Sequence, residues 1–236
     1  MFKREPIPLA FAFELSNRCN MSQYHKECPV DSKADPVFLN TDIIKDTISY
    51  FGSVGYGGNL YFNIYNEPLI DPRLFMLLEF TKKVCGCGVT IYTNGWGLNQ
   101  YIVDELKKLN ANLVVSCYSD KDFDRVSQLN NIIGCSKSVL DLRVKTIYDM
   151  PQTRSGMCRF PSVYGMINHL GGYELCCRDW KYNHILGDLK TSSIKDVLES
   201  EERTKICNEL EAGVRSLDIC KRCHFAGWGI EEPDAF

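Results

Sequence analysis

The residues in this 236-residue chain best suited to chemistry are its 12 cysteines. Six are spread over the first part of the chain: Cys19 and Cys28, Cys85 and Cys87, Cys117 and Cys135. The other six, Cys158, Cys176, Cys177, Cys207, Cys220 and Cys223, crowd toward its end. In an oxidising compartment so many thiols would pair as disulfides. In a reducing one, clustered thiols bind metal or do redox chemistry. Cys220 and Cys223 form Cys-x-x-Cys, a tight loop that aims two thiolates at one centre. With Cys158 and Cys176 they offer four soft ligands, enough to close a [4Fe–4S] cluster or a tetrahedral zinc site. Cys177 competes with Cys176 for its place. Cys207 lies in a helical stretch and reads as a small buried hydrophobe, while Cys85 and Cys87 flank Gly86 at a helix end and read as a glycine-rich stop.

The elements that must position these thiols alternate between strand and helix. Strands are expected over Leu9–Leu15, Leu60–Tyr65, Val89–Thr93, Leu113–Tyr118 and Leu140–Ile147. Between them, Asn40-Thr41-Asp42 caps a helix to about Phe51. Further helices are expected over Asp71–Val84, with Pro72 at its start, over Gln100–Leu109 and around Asp122–Leu129. This rhythm means parallel pairing with right-handed crossovers, hence an α/β fold, a partial barrel or open sheet. Such sheets bind ligands at the carboxyl ends of their strands. There the sequence sets Asn17 to Cys28, then Asn66-Glu67-Pro68, Asn94-Gly95, and Ser116 with Ser119.

Beyond Met150-Pro151 the rhythm stops. Short strands around Gly171-Gly172 and helices over Ser192–Glu199 and Ser200–Leu210 follow, which places a boundary near residue 155. Residues 1–155 are then a partial (β/α) barrel and residues 156–236 a small α+β domain. Hydrophobic residues make up 44% and charged ones 24%, with a formal net charge of -3. That balance gives no general pull toward nucleic acid or an anionic membrane. The apolar run Ile7 to Phe13 is broken by Pro8 and lacks a cleavage site, so it reads as a buried strand in a cytoplasmic protein, neither signal peptide nor membrane span.

The C-terminal pattern resembles a known module. It runs Cys158-Arg159-Phe160-Pro161, Gly171-Gly172, Cys176-Cys177-Arg178-Asp179, Leu186-Gly187-Asp188-Leu189, a helix, and Cys220-Lys221-Arg222-Cys223. This resembles the twitch domain, a shortened SPASM domain, of radical S-adenosylmethionine (SAM) enzymes. The layout resembles most that of the 2-deoxy-scyllo-inosamine dehydrogenase-like members. The resemblance implies an auxiliary [4Fe–4S] cluster on Cys158, Cys176, Cys220 and Cys223. Upstream, Phe13 to Asn20 resembles the first strand and first cluster cysteine of the family's barrel. Tyr65-Asn66-Glu67-Pro68-Leu69 resembles its Gly-Gly-Glu-Pro segment, with Asn66 in place of a glycine and Glu67 implied to hold the SAM amino group. Tyr92-Thr93-Asn94-Gly95 matches a third-strand signature. Ser116 stands where a polar residue contacts SAM, and Arg154-Ser155-Gly156 resembles an Arg-x-Gly segment that meets SAM or substrate, with Arg154 the implied catalytic residue.

One segment departs from that pattern. The family holds its main cluster with Cys-x3-Cys-x2-Cys; this chain has Cys19-x5-His25-x2-Cys28, a longer loop with His25 where a third ligand belongs. Imidazole can ligate iron–sulfur irons and, being neutral, raises the reduction potential. Cys117 is an alternative third ligand.

The resemblance implies generation of a 5′-deoxyadenosyl radical that abstracts hydrogen from a small molecule or peptide. The auxiliary cluster accepts the electron, and an external flavodoxin- or ferredoxin-type protein is the donor. The alternative is a catalytically silent iron–sulfur or zinc binding protein built on the same frame. Nucleic acid is not an expected partner.

Overall fold

In the computed structural model, residues 7–25, 28–31, 33–138, 151–152 and 155–223 are described. The strand expected over 140–147 and Arg154 lie outside them.

The first half is the alternation read from the sequence. Strand β1 (Ala10–Phe13) leads to α1 (Thr41–Ser53), β2 (Asn59–Tyr61), α2 (Leu74–Val84), β3 (Gly88–Thr93), α3 (Gln100–Lys108), β4 (Ala111–Cys117), α4 (Asp120–Val126) and β5 (Gly134–Lys137). The caps explain where the helices begin. Asn40, Asn99 and Ser119 each turn a side-chain oxygen onto the backbone N–H of Asp42, Ile102 and Asp122, filling donors that a helix start leaves open. Helix α2 begins at Leu74, later than its Pro72 suggests, because residues 68–70 make a separate 3₁₀ turn capped by Glu67. The fifth strand is Gly134–Lys137, outside the stretch expected to supply it.

The second half comprises α5 (Phe160–Val163), β6 (Tyr164–Ile167), β7 (Gly172–Glu174), β8 (Ile185–Asp188), α6 (Ile194–Glu199), α7 (Glu201–Glu211) and α8 (Asp218–Arg222). It does not build a sheet of its own. One eight-stranded sheet runs β5-β4-β3-β2-β1-β6-β7-β8, and β6 lies parallel to β1 with Ala10 opposite Tyr164 and Phe13 opposite Ile167. Six strands from β5 to β6 are thus parallel, and β7 and β8 close the sheet antiparallel.

The two faces of this sheet differ. Phe11, Phe13, Leu60, Ile91, Leu113 and Val115 point to the helices and join Ile44, Ile48, Leu77, Val103, Val197 and Leu210 in one apolar core. Burying each such side chain stabilises the fold by about 1.5–3 kcal/mol. On the other face Ala12, Phe160, Tyr164 and Met166 form a second cluster, bordered by Ala10, Tyr61, Cys158, Cys176 and Cys177. Because β1 puts only Ala10 and Ala12 there, Tyr61 on β2 and Tyr164 on β6 meet ring to ring at 5.6 Å. Phe160 and Tyr92 extend the row at 5.1 and 5.9 Å. Among the described residues no helix is long and apolar enough to cross a membrane.

Candidate iron–sulfur and cofactor site

The polar groups expected at the strand ends do collect at the carboxyl edge of the sheet. Glu67, 4% exposed, lies between the loop after β1 and the end of β3: its N–H donates to the Arg18 carbonyl at 2.9 Å. Its carboxylate accepts the Thr93 hydroxyl at 2.6 Å and the N–H groups of Asn94 and Leu69 at 2.8 and 3.0 Å. Burial raises the Glu67 pKa and these hydrogen bonds pull the other way. Two carboxylate oxygens have about four acceptor positions. Three are used, which leaves room for one donor from a ligand.

Asn94 ties this group to the cysteine loop, its amide donating to the Asn20 side chain at 2.8 Å beside Cys19. Asn66 is spent locally: its oxygen accepts from Ile64 N–H and its amide donates to the Phe62 carbonyl. The Asn66 side chain therefore stabilises its own turn. Ser116 sits on β4, opposite Ser136 of β5.

Cys19 and Cys28 are both half-buried, and His25, 9% exposed, packs edge-on against Tyr118 at 4.9 Å. Among the described residues no three His, Cys, Asp or Glu converge as a single-ion site. Cys117 does not fill the gap. It is 1% exposed in the helix-side core, its sulfur 3.8 Å from that of Cys135, on the wrong side of β4 for the loop. Burial and Cys135 push its pKa to about 12.

The C-terminal cysteines are brought together. Cys158, Cys176, Cys220 and Cys223 line one pocket whose remaining walls are Pro161, Leu175, Leu210, Ile219 and Arg215. Cys220 and Cys223 come from α8 and its end, Cys158 from the segment before α5, and Cys176 from the loop after β7. Cys177 is not among the residues lining this pocket and borders the second apolar cluster. Burial, then the neighbouring thiols, pushes Cys220 up to about 12 and Cys176 well above the usual thiol range. Thiols crowded in an apolar pocket keep their protons until a cationic centre replaces them. Four thiols around one pocket are the soft ligand set of a [4Fe–4S] cluster or a tetrahedral zinc ion.

Arg215, missed in the sequence, braces this pocket. It is 7% exposed and donates to the carbonyls of Gly156, Cys220 and Met157 at 2.9, 3.0 and 3.3 Å. It thus joins the Cys158 segment to α8. Also missed was a buried polar group between the two sites. Glu14, one residue past β1, accepts the N–H and Nδ1 of His169 at 3.0 and 2.7 Å and the Tyr182 hydroxyl at 3.2 Å. Glu174 at the end of β7 is 1% exposed, and burial, then Glu14 and Asp179, raises its pKa well above the usual carboxylate range. A lone Glu or His in sequence carries no signal of such a meeting.

Residues 158–224 match the model of the SPASM iron–sulfur cluster-binding domain. The chain is 22% identical over 234 residues to the S-adenosyl-L-methionine-dependent 2-deoxy-scyllo-inosamine dehydrogenase of Niallia circulans, covering 93% of this chain and 94% of that protein. Among solved structures it resembles BtrN in complex with AdoMet and 2-DOIA, with a TM-score of 0.77 and 21% identity over 93% of this chain and 94% of that one. It also resembles native anSMEcpe with bound AdoMet, with a TM-score of 0.57 and 12% identity over 94% and 91% of the two chains. The chain thus shares its fold with BtrN, is similar over nearly its whole length to an S-adenosyl-L-methionine-dependent dehydrogenase, and carries at residues 158–224 a match to the SPASM iron–sulfur cluster-binding domain.

Proposed function

We propose that this chain is a dehydrogenase for a small hydroxylated ring compound. It would oxidise one carbinol carbon, with residues 1–155 handling SAM and residues 156–236 holding the auxiliary cluster. The observation that carries this reading is the pocket of four thiols, Cys158, Cys176, Cys220 and Cys223, in a domain whose β6 is hydrogen-bonded to the strand leading to Cys19. When bound, a reduced main cluster and SAM supply a 5′-deoxyadenosyl radical for hydrogen abstraction, and an auxiliary cluster supplies an electron acceptor.

The chain's own residues orient these parts. Glu67 presents its remaining acceptor position to the SAM ammonium, while Asn94 and Thr93 hold that carboxylate still. Ser116 stands on the same edge as a second polar contact. Arg154 is the residue proposed to meet the substrate. The row of stacked rings Phe160, Tyr164, Tyr61 and Tyr92 lies on the same sheet face as Cys158 and Cys176 and would give the C–H groups of a saturated ring an apolar surround. Cys19, Cys28 and His25 are proposed to hold the main cluster, with an external flavodoxin- or ferredoxin-type protein as donor. The 12 unbridged cysteines suit a reducing, cytoplasmic setting.

The departure at the cysteine loop favours one other reading, a silent relative that keeps only the auxiliary cluster. Anaerobic reconstitution separates them. The dehydrogenase reading expects about eight irons per chain, two [4Fe–4S] clusters. It also expects an EPR signal that changes on adding SAM, and 5′-deoxyadenosine with a ketone product from 2-deoxy-scyllo-inosamine. About four irons with no response to SAM would leave the silent relative. Replacing His25 with Ala should then remove iron in the first case only.

A further inference from the structure

A single side-chain hydrogen bond leads from the segment proposed to bind SAM to the loop that carries Cys176. Tyr65, 8% exposed, directly precedes Asn66-Glu67, and its hydroxyl donates to the Cys177 carbonyl at 2.7 Å across 112 positions of sequence. That carbonyl belongs to the peptide group whose N–H is Arg178's. Burial raises the Cys176 thiol pKa, and the Arg178 N–H, set beside that sulfur, pulls it down. Phenol and sulfur therefore face the two ends of one peptide group.

We propose that Tyr65 is a positioning residue for the auxiliary cluster: by polarising the 177–178 peptide it strengthens the N–H···S bond to Cys176 and raises the cluster's reduction potential. This rests on the reading of Cys176 as a cluster ligand. The physics is cooperative. A bond to a peptide oxygen draws charge from its nitrogen, so the N–H on the far side becomes a better donor, by roughly 10–30% in condensed-phase estimates. A stronger donor to a ligating sulfur stabilises the more negative, reduced cluster, and such hydrogen bonds are among the levers that set iron–sulfur potentials. An electron acceptor for substrate oxidation benefits from that direction.

The surroundings keep Tyr65 a donor. Burial foremost, then Glu174, the Cys177 thiol, Glu14 and Tyr182, raises its pKa well above the usual phenol value, so the proton stays on the oxygen. Its ring lies 6.2 Å from that of Tyr182.

The test reads the cluster, not turnover. In a Cys19→Ala, Cys28→Ala background the auxiliary cluster alone remains, and its midpoint is measured by EPR-monitored titration. Tyr65→Phe should keep its iron and shift the midpoint downward, while Tyr92→Phe on the same sheet face leaves it in place. A Tyr65→Phe midpoint equal to that of the parent overturns the proposal. If Tyr65→Phe does not retain iron, 3-fluorotyrosine at position 65, a stronger donor of nearly the same size, must raise the midpoint, and an unchanged value overturns the proposal equally. Cys176→Ala that keeps its full cluster would instead refute the ligand reading beneath it, a separately visible failure.

Discussion

The Thr93 hydroxyl stands 2.6 Å from Oε1 of Glu67, and so the end of β3 holds the carboxylate that follows β2. The same hydroxyl oxygen accepts the Gly95 N–H at 3.1 Å. Thr93→Val keeps the shape and deletes the hydroxyl, leaving a buried carboxylate with one donor fewer. The expected cost is about 1–3 kcal/mol of stability, read as a lower urea midpoint at unchanged slope. SAM affinity should fall with it, because the carboxylate is then less firmly aimed. A variant with wild-type stability and affinity would show the bond to be incidental.

The raised pKa of Glu67 sets a pH dependence. Burial, the largest cause, lifts it from the ordinary 4.5, so Glu67 takes up its proton at a higher pH than a free glutamate. The SAM ammonium favours the ionised form. Affinity should therefore be full on the alkaline side and fall as pH drops through the raised value. Stability of the SAM-free protein runs the opposite way. The raised folded value contributes stability fully present below 4.5 and lost as pH rises through the folded value. Calorimetric titration of SAM across that window checks the first trend. In Glu67→Gln the affinity should be weak and flat, and a steep profile there would assign the effect to another group.

Cysteine replacements should divide sharply. Cys176→Ala and Cys223→Ala remove walls of the four-thiol pocket and should each lower the iron content by about four per chain. Cys177→Ala and Cys117→Ala should not, since the first thiol does not line the pocket and the second lies beside Cys135. Iron analysis after anaerobic reconstitution decides it. Loss of iron in Cys177→Ala with retention in Cys176→Ala would exchange the two assignments.

How much of this was legible in the sequence follows the range of the interactions. Helix α1 was legible because Asn40 signals its own cap two residues away, and β3 because Val89, Ile91 and Thr93 alternate with half-exposed neighbours. Strand β5 was not. Its residues Gly-Cys-Ser-Lys lie at the sheet edge with little buried surface, and no alternation marks them. Strand β6 is apolar and short, and nothing within it says that its partner is β1. The cysteine pocket was visible through spacing, whereas Arg215 and Tyr65 act on carbonyls, which carry no sequence identity at all.

Arg73 gathers the segments that carry the first cysteine loop. It makes a two-point ion pair with Asp71 at 2.8 and 3.0 Å and donates to the carbonyls of Leu15 and Leu39 and to the Thr41 hydroxyl. Asp71 is fully buried and Arg73 one-fifth exposed. Lysine keeps the charge but offers a point with three donors in place of the planar fork, so at most three of the five contacts can be made at once. Arg73→Lys should cost about 1–3 kcal/mol, discounted for the exposed part of the guanidinium. Reconstituted Arg73→Lys should also hold less iron, since Leu15 leads into Cys19. Unaltered urea unfolding would mean that the loop is held by other contacts.

Gly165 tests whether the chain folds as one sheet or two parts. It lies on β6 opposite Phe11, and a Cβ there would stand 2.5 Å from Phe11 Cδ2 and 2.9 Å from the Tyr173 hydroxyl. Real Cβ atoms do not approach so closely, and Phe11 is wedged by Phe13 and Phe51 at 5.3 and 4.9 Å, so it has nowhere to retreat. Gly165→Ala should therefore cost about 1–3 kcal/mol by overpacking. The important reading is where the loss appears. With β6 hydrogen-bonded into the same sheet as β1, unfolding followed by tryptophan emission and by the iron–sulfur chromophore should shift together, as one cooperative transition. If the chromophore midpoint drops while the rest of the chain melts as before, the C-terminal part unfolds by itself, and the continuous sheet is not the cooperative unit.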